Sequence, residues 1–215
     1  MKNTKKLTIC AMMVALASAL AILSMFSPIQ LPFGGSVTFG SMVPIVLVGY
    51  MFGTKWGLGS AFVFAIVQMI LGASTVSSFF MPGDSQMFWV NAVLVCLIDY
   101  ILAYTALGFS GIFANKIKST SGALCLGSIV ALALRYLCHI VSGAIFFGAW
   151  AEWFFTDVAA GAFGEWVLSH MSGGMLALFY SIVYNGLYMI PEIILTAVIT
   201  AILPKFLGKY VKRYE

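Results

Sequence analysis

The Lys and Arg residues of this chain are gathered into four short segments separated by long apolar stretches. All of the 11 Lys and Arg residues except Arg135 fall in these segments. The segments hold Lys2/Lys5/Lys6, Lys55, Lys116/Lys118 and Lys205/Lys209/Lys212/Arg213. Each intervening stretch is long enough to cross a bilayer twice as a helix. The pattern therefore predicts an integral membrane protein.

Composition supports the same class, because 62% of the residues are hydrophobic and 8% are charged, whereas about a quarter are charged in soluble domains. A transmembrane helix needs about 20 apolar residues. Six such helices are predicted, at about 7–26, 38–53, 57–74, 88–114, 121–147 and 175–204. We expect an all-α fold with one six-helix domain over residues 1–215.

The charge distribution also predicts the orientation. Basic residues collect in cytoplasmic loops, which places both termini in the cytoplasm. The opposite loops, about 27–37, 75–87 and 148–174, contain no Lys or Arg. The net charge of +4 is explained by orientation and lipid headgroups, so no nucleic-acid partner is expected. The predicted location is the cell membrane, crossed several times.

Two other interpretations of the chain are disfavoured by its sequence. The basic start followed by an apolar stretch is too long for a signal peptide, and no small-x-small cleavage site precedes Pro28. The four cysteines lie inside predicted helices without paired spacing, which argues against a disulfide framework or a zinc site. They are Cys10, Cys96, Cys125 and Cys138. No metal or cofactor is expected.

Four ionisable residues lie inside the predicted helices: Asp99, Arg135, His139 and Glu192. Such groups are costly in lipid and by default mark a functional site. At ~1.5 Å per residue, Asp99 and His139 fall at a similar depth, in the outer half of the membrane. Tyr180 and Asn185 fall there too, which predicts a site that faces outside.

Helical spacing gathers these residues onto two faces. Residues four apart share one face of a helix, and the fifth predicted helix carries Arg135, His139, Gly143 and Phe147 at that spacing. The sixth carries Asn185, Tyr188 and Glu192, flanked by Tyr180 and Tyr184. A pocket with a carboxylate, an imidazole, an amide and aromatic rings suits a small, flat, positively charged ligand.

Purely structural roles stay open for most of these residues. Arg135 and Glu192 could pair with each other or with backbone carbonyls, and His139 could be an interhelical hydrogen-bond partner. Tyr180 and Tyr184 could belong to the aromatic belt at the membrane surface. Asp99 has no base in its own helix and is expected to need Arg135 or a ligand.

Two further features have both a packing and a functional interpretation. Alanine recurs every fourth residue in the first helix, at Ala11, Ala15 and Ala19; such a ladder lets another helix approach closely, either inside the protein or as a docking face. The first outer loop holds Pro28, Pro32, Phe33, Gly34 and Gly35. It could be a lid over the pocket or an ordinary short loop.

Four stretches resemble the substrate-binding (S) components of energy-coupling factor (ECF) vitamin transporters, and most closely the thiamine-specific family. They are GGSVTFGSMVPIVLVGYMFG at 34–53, LIDYILAYTALGFSGIF at 97–113, RYLCHIVSGAIFFG at 135–148 and YSIVYNGLYMIPE at 180–192. The resemblance implies a six-helix bundle that binds thiamine from outside with very high affinity.

The resemblance also implies site residues. The acid that meets the thiazolium corresponds to Asp99, and the rest of the pocket corresponds to Tyr100, His139, Gly143, Tyr180 and Asn185, with Trp89 as a further aromatic. Two positions depart from the family pattern, because Phe33 and Phe147 stand where tryptophan is expected. The outer loop 148–174, which holds Trp150, Trp153 and Trp166, could supply the missing aromatic ring.

The resemblance further implies partners. In the family the alanine ladder contacts a membrane-embedded T component, and two ATP-binding-cassette ATPases drive uptake while the S component topples in the membrane. This sequence has no GxxxxGK[ST] phosphate loop, so ATP hydrolysis is expected in the partners, and the chain is expected not to be an enzyme.

Three alternatives are kept beside this interpretation. An S component for another small vitamin is the nearest. An intramembrane hydrolase could use Asp99, His139 and Ser142 or Ser181, although no GxSxG or HExxH motif is present. A channel or secondary transporter would be expected to show duplicated halves or broken helices at the midplane.

Overall fold

The computed structural model describes residues 3–26, 31, 35–208, 210–211 and 213–214. Its main helices are α1 (Asn3–Ser24), α2 (Val43–Phe52), α3 (Thr54–Leu71), α4 (Trp89–Phe113), α5 (Thr120–Phe146) and α6 (Gly173–Leu207). All of them except α2 are long and apolar enough to cross a membrane. The predicted all-α membrane fold is confirmed, whereas the number of spans and the cytoplasmic position of both termini stay predictions.

The second helix is shorter than the predicted span at 38–53. It has 10 residues, all of them buried, and at ~1.5 Å per residue it covers about half of a ~30 Å hydrocarbon core. Residues 38–42 before it are not helical, because Gly40 has a positive φ of 78° and Thr38 is bound by a side chain of α6. The apolar run there reflects burial inside the bundle rather than a full span.

We call the half of the bundle that holds Gly108 and Gly111 the inner half and the other half the outer half, after the orientation predicted from the sequence. The inner half is packed through glycine. A β-carbon at Gly108 of α4 would overlap the backbone of Leu58 in α3, and one at Gly111 would overlap the Gly49 carbonyl of α2. Ser110 Oγ donates to the Val46 carbonyl at 2.9 Å. Small residues allow helix backbones this close in lipid, where dispersion replaces the hydrophobic effect as the force between helices.

Helices α5 and α6 run antiparallel and pack along much of their length. Near the outer end Ser181 Oγ donates to the Ile140 carbonyl at 2.8 Å, and near the inner end Ser128 and Thr200 share a hydrogen bond of 3.1 Å. Helix α6 continues through Pro191. Glu192, the next residue, is fully buried.

The outer loop expected at 148–174 is mostly helical. Short helical segments cover Gly148–Trp150, Ala151–Trp153, Phe154–Val158 and Ala162–His170. Phe154, Phe155 and Val167 of this region are buried against Leu176 and Tyr180 of α6. Another short helix, Ala73–Ser78, follows α3. The outer end of the bundle is thus covered by folded structure.

The first helix presents two different faces. Cys10, Ala17, Ala21 and Ser24 are buried, and α1 packs on α2 and α3. The predicted ladder of Ala11, Ala15 and Ala19 lies on the exposed side. These three alanines therefore do not pack inside the described bundle, which removes the internal-packing interpretation.

Candidate functional site

A cavity of about 360 Å³ opens in the half of the bundle that holds Asp99 and His139. Its volume is within the range of small-molecule sites, about 300–1,000 Å³. All of the main helices except α2 contribute to its walls, together with Leu31, Gly35, Ser36, Thr38 and the short helix after α3. The aromatic residues among the described lining are Phe79, Tyr100, Tyr104, Phe147, Tyr180, Tyr184 and Tyr188.

The carboxylate of Asp99 is held by two side chains of α5. Asp99 Oδ1 lies 2.9 Å from His139 Nδ1, and Asp99 Oδ2 accepts a hydrogen bond of 2.7 Å from Ser142 Oγ. Asp99 sits in a π-helical turn, Cys96–Leu102, a local widening that is frequent at functional sites. The predicted need for Arg135 or a ligand is wrong, because α5 supplies other partners.

This pairing determines which nitrogen of His139 can meet a ligand. With a carboxylate as its partner, Nδ1 carries the proton, and in the neutral ring Nε2 is then an acceptor. Nε2 is buried and has no hydrogen-bond partner among the described residues, and His139 lines the cavity. The cavity therefore offers an imidazole acceptor beside a carboxylate.

A hydrogen-bonded unit of α6 completes this side of the cavity. Asn185 Nδ2 donates to the Ser181 carbonyl at 2.9 Å and lies 3.3 Å from the His139 carbonyl. Asn185 Oδ1 accepts from the Tyr188 hydroxyl at 2.8 Å and keeps a second acceptor position. The Tyr188 ring packs edge-on against the His139 imidazole at 5.9 Å.

Gly143 permits this arrangement. A β-carbon there would overlap Ser181 Oγ and would come 3.1 Å from Asn185 Nδ2. Any larger residue would have to displace the Ser181 and Asn185 side chains at the level of His139. The spacing of four residues from His139 to Gly143 and Phe147 predicted their common face, and all three line the cavity.

An aromatic cluster forms the wall nearest the outer end. The Phe154 ring lies 5.3 Å from Tyr180 and 5.7 Å from Tyr184, and Phe79 packs edge-on against Phe147 at 5.9 Å. Phe154, Phe79 and the pocket residue Tyr104 were not predicted from the sequence. Tyr104 had a detectable signal, since it follows Tyr100 by four residues on α4.

The remaining predicted site residues divide into three groups. Tyr100, Tyr180 and Asn185 line the cavity. Trp89 does not, because it starts α4, ten residues before Asp99, and is 64% exposed. Phe33 lies outside the described residues. Of the tryptophans of the outer region, Trp150 and Trp153 pack beside the Phe154 cluster, while Trp166 is exposed.

Arg135 and Glu192 do not form the ion pair that was one of the alternatives. Within the part of the chain that the structure describes, the close contact between a basic side chain and a carboxylate is that of His139 with Asp99. Arg135 donates to the Tyr104 hydroxyl at 3.0 Å, and its guanidinium lies 4.2 Å from the centre of the Tyr104 ring. Glu192 binds Thr38 instead.

Comparison with known proteins identifies the family. The model of the family described as thiamine transporter protein (Thia_YuaJ) matches residues 7–212. This chain belongs to that thiamine transporter family. It is 31% identical over 207 residues to the thiamine transporter ThiT of Bacillus subtilis (strain 168), covering 92% of this chain and 88% of the relative.

The fold is also that of a solved family structure. ThiT from Listeria monocytogenes superposes with a TM-score of 0.66 over 99% of this chain and 100% of that one, at 21% identity. The resemblance stated from the sequence is confirmed. The chain is a multi-pass membrane transport component and not an enzyme, so the hydrolase alternative is wrong.

Proposed function

We propose that this transporter chain binds thiamine from outside the cell with high affinity, as the S component of an ECF transporter. The observation that carries the proposal is the Asp99–His139 pair in the wall of an aromatic cavity. Membership of the thiamine transporter family supports the ligand, and the cavity chemistry supports the residues.

The cationic thiazolium ring of thiamine fits the charge of this cavity. Asp99 supplies a negative charge, and hydrogen bonds from His139 and Ser142 fix its orientation. Each ring face that meets the cation adds about 0.5–2 kcal/mol. Tyr100 follows Asp99 directly and also lines the cavity. Its hydroxyl lies against Gly72, where a β-carbon would come within 2.8 Å of it.

The aminopyrimidine ring of thiamine fits the neighbouring acceptors. Its amino group donates hydrogen bonds, and His139 Nε2 and the second acceptor position of Asn185 Oδ1 would receive them. Tyr180 and Phe147 would pack on the flat ring, with Gly143 leaving room beside them. Trp89 and Phe33 carry no part of this proposal.

The partners in the proposal are an ECF T component and two ATP-binding-cassette ATPases, together with membrane lipid. Ala11, Ala15 and Ala19 form an exposed strip of small residues, which suits the close approach of a partner helix. The sequence has no phosphate loop of its own, so the energy of uptake would come from the ATPases.

Isothermal titration calorimetry of the purified protein with thiamine, riboflavin and biotin tests the ligand. The proposal predicts saturable binding of thiamine in the nanomolar range and none of the other two. Binding of riboflavin or biotin without thiamine would favour the rival assignment, an S component for another vitamin. Uptake of labelled thiamine by cells that express the chain with and without the T component and ATPases tests the coupling.

A further inference from the structure

Residues 38–42, which lead into α2, are held by hydrogen bonds to side chains of three other helices. Glu192 of α6 accepts hydrogen bonds from the Thr38 backbone N–H at 2.6 Å and from Thr38 Oγ1 at 2.7 Å. Ser24 Oγ of α1 accepts from the Phe39 N–H at 2.9 Å. Arg135 of α5 donates to Met42 Sδ at 2.8 Å. Glu192 and Arg135, two of the four ionisable residues inside the helices predicted from the sequence, thus hold this short segment.

Glu192 makes the two shortest of these hydrogen bonds. It is 0% exposed, and a buried carboxylate is stable only when its oxygens are hydrogen-bonded or paired. Each of its oxygens accepts from Thr38, so both oxygens are directed at one residue of the segment. Thr38 Oγ1 also accepts from the backbone and the hydroxyl of Ser41, which closes the turn before α2.

The start of this segment and the residues just before it form part of the cavity wall. Thr38, Ser36 and Gly35 line it. Gly35 has a φ of +94°, and a β-carbon there would lie 2.5 Å from the Tyr188 ring. Tyr188 in turn donates to Asn185. A shift of residues 35–38 would therefore change both the width of the cavity and the support of the Asn185 side chain.

We infer that Glu192 is a positioning residue for thiamine binding: through Thr38 it fixes residues 35–42 as a wall of the cavity without touching the ligand. The inference rests on the proposed function for its ligand. In this arrangement Asp99 neutralises the charge of the ligand, and the carboxylate of Glu192 does not.

Substitutions of Thr38 test this without removing the buried charge. Thr38→Val deletes the hydroxyl that donates to Glu192 and is expected to raise the dissociation rate of thiamine about tenfold, the loss typical of one charge-assisted hydrogen bond. Thr38→Ser keeps the hydroxyl and should stay within about twofold of wild type. Thr200→Val, a buried threonine on α6 that bonds Ser128, is the matched control and should leave the rate unchanged.

Hydrogen–deuterium exchange of the peptide covering residues 35–42, measured without ligand, is the second arm. Thr38→Val and Glu192→Gln should exchange faster there than wild type, Thr38→Ser and Thr200→Val. Wild-type rates of both exchange and dissociation in Thr38→Val would overturn the inference, as would a dissociation rate raised equally by Thr200→Val.

The two arms separate this inference from the proposed function. Absence of thiamine binding by the wild type would contradict the proposed function. Hydrogen–deuterium exchange would still decide whether Glu192 fixes residues 35–42. Tight binding by the wild type with unchanged variants would contradict the positioning role alone.

Discussion

The inner and outer halves of the bundle are built in different ways. In the inner half, glycines bring α2, α3 and α4 together so closely that backbone touches backbone at Gly108 and Gly111. In the outer half, aromatic rings and polar side chains separate the helices around a cavity. The cavity therefore exists where the close packing stops, and the inner half serves as a rigid base for it.

The largest effect is expected from breaking the inner half. Gly108→Leu would drive a side chain into the backbone of α3, which costs at least about 3 kcal/mol because neither backbone can move independently. We expect no monodisperse folded protein on size-exclusion chromatography in detergent. Gly59→Leu, on the same helix pair but in open space, should behave as wild type. Folded Gly108→Leu protein would show that the inner half is not a rigid base.

The next effect concerns the exposed strip of α1, which belongs to neither the glycine packing nor the cavity. Ala15→Trp should leave thiamine affinity unchanged and abolish uptake, because the indole would block a partner helix. Calorimetry and uptake of labelled thiamine check the two halves of this prediction. Leu16→Trp, a substitution at the neighbouring exposed residue, is the control for added bulk, and normal uptake by Ala15→Trp would return the ladder to a lipid-facing role.

Within the outer half, the acid should matter most. Asp99→Asn removes the charge opposite the thiazolium and is expected to weaken thiamine binding by more than ~1.5 kcal/mol, or over tenfold. Asp84→Asn makes the same change at an exposed outer acid and should have little effect. An unchanged dissociation constant for Asp99→Asn would place the ligand elsewhere.

A smaller effect is expected at the aromatic wall. Phe154→Ala removes ring contacts to Tyr180 and Tyr184 worth about 0.5–1.5 kcal/mol each, so thiamine affinity should fall a few-fold while the protein stays folded. Phe163→Ala, which changes a half-exposed ring that packs on Phe155 and Phe179, should not alter affinity. Equal losses in both variants would mean that the outer helices matter only for stability.

The sequence predicted what depends on local periodicity. Asp99, His139, Gly143 and Asn185 meet as expected because helical spacing decides which residues share a face, and charge inside a helix marks the face that avoids lipid. Contacts between segments that are distant in the chain could not be predicted from local periodicity. Thr38 and Glu192 are 154 residues apart, and neither residue type reveals the other.

Three other differences have physical causes. A run of apolar residues at 38–53 has the same composition whether it spans the membrane or lies buried inside a bundle, so the short α2 was not foreseen. The outer region 148–174 was expected to be a loop because it connects two predicted helices, yet its Phe and Val residues fold onto α6. Trp89 was carried over by resemblance, and its distance along α4 keeps it from the cavity.

A structure of the thiamine complex is the sharpest test of the proposed binding mode. We predict thiamine in the cavity, with the thiazolium ring beside Asp99 and the amino nitrogen of the aminopyrimidine within hydrogen-bond distance of His139 Nε2. Thiamine bound elsewhere, or a pose in which Asp99 and His139 contact only each other, would contradict it.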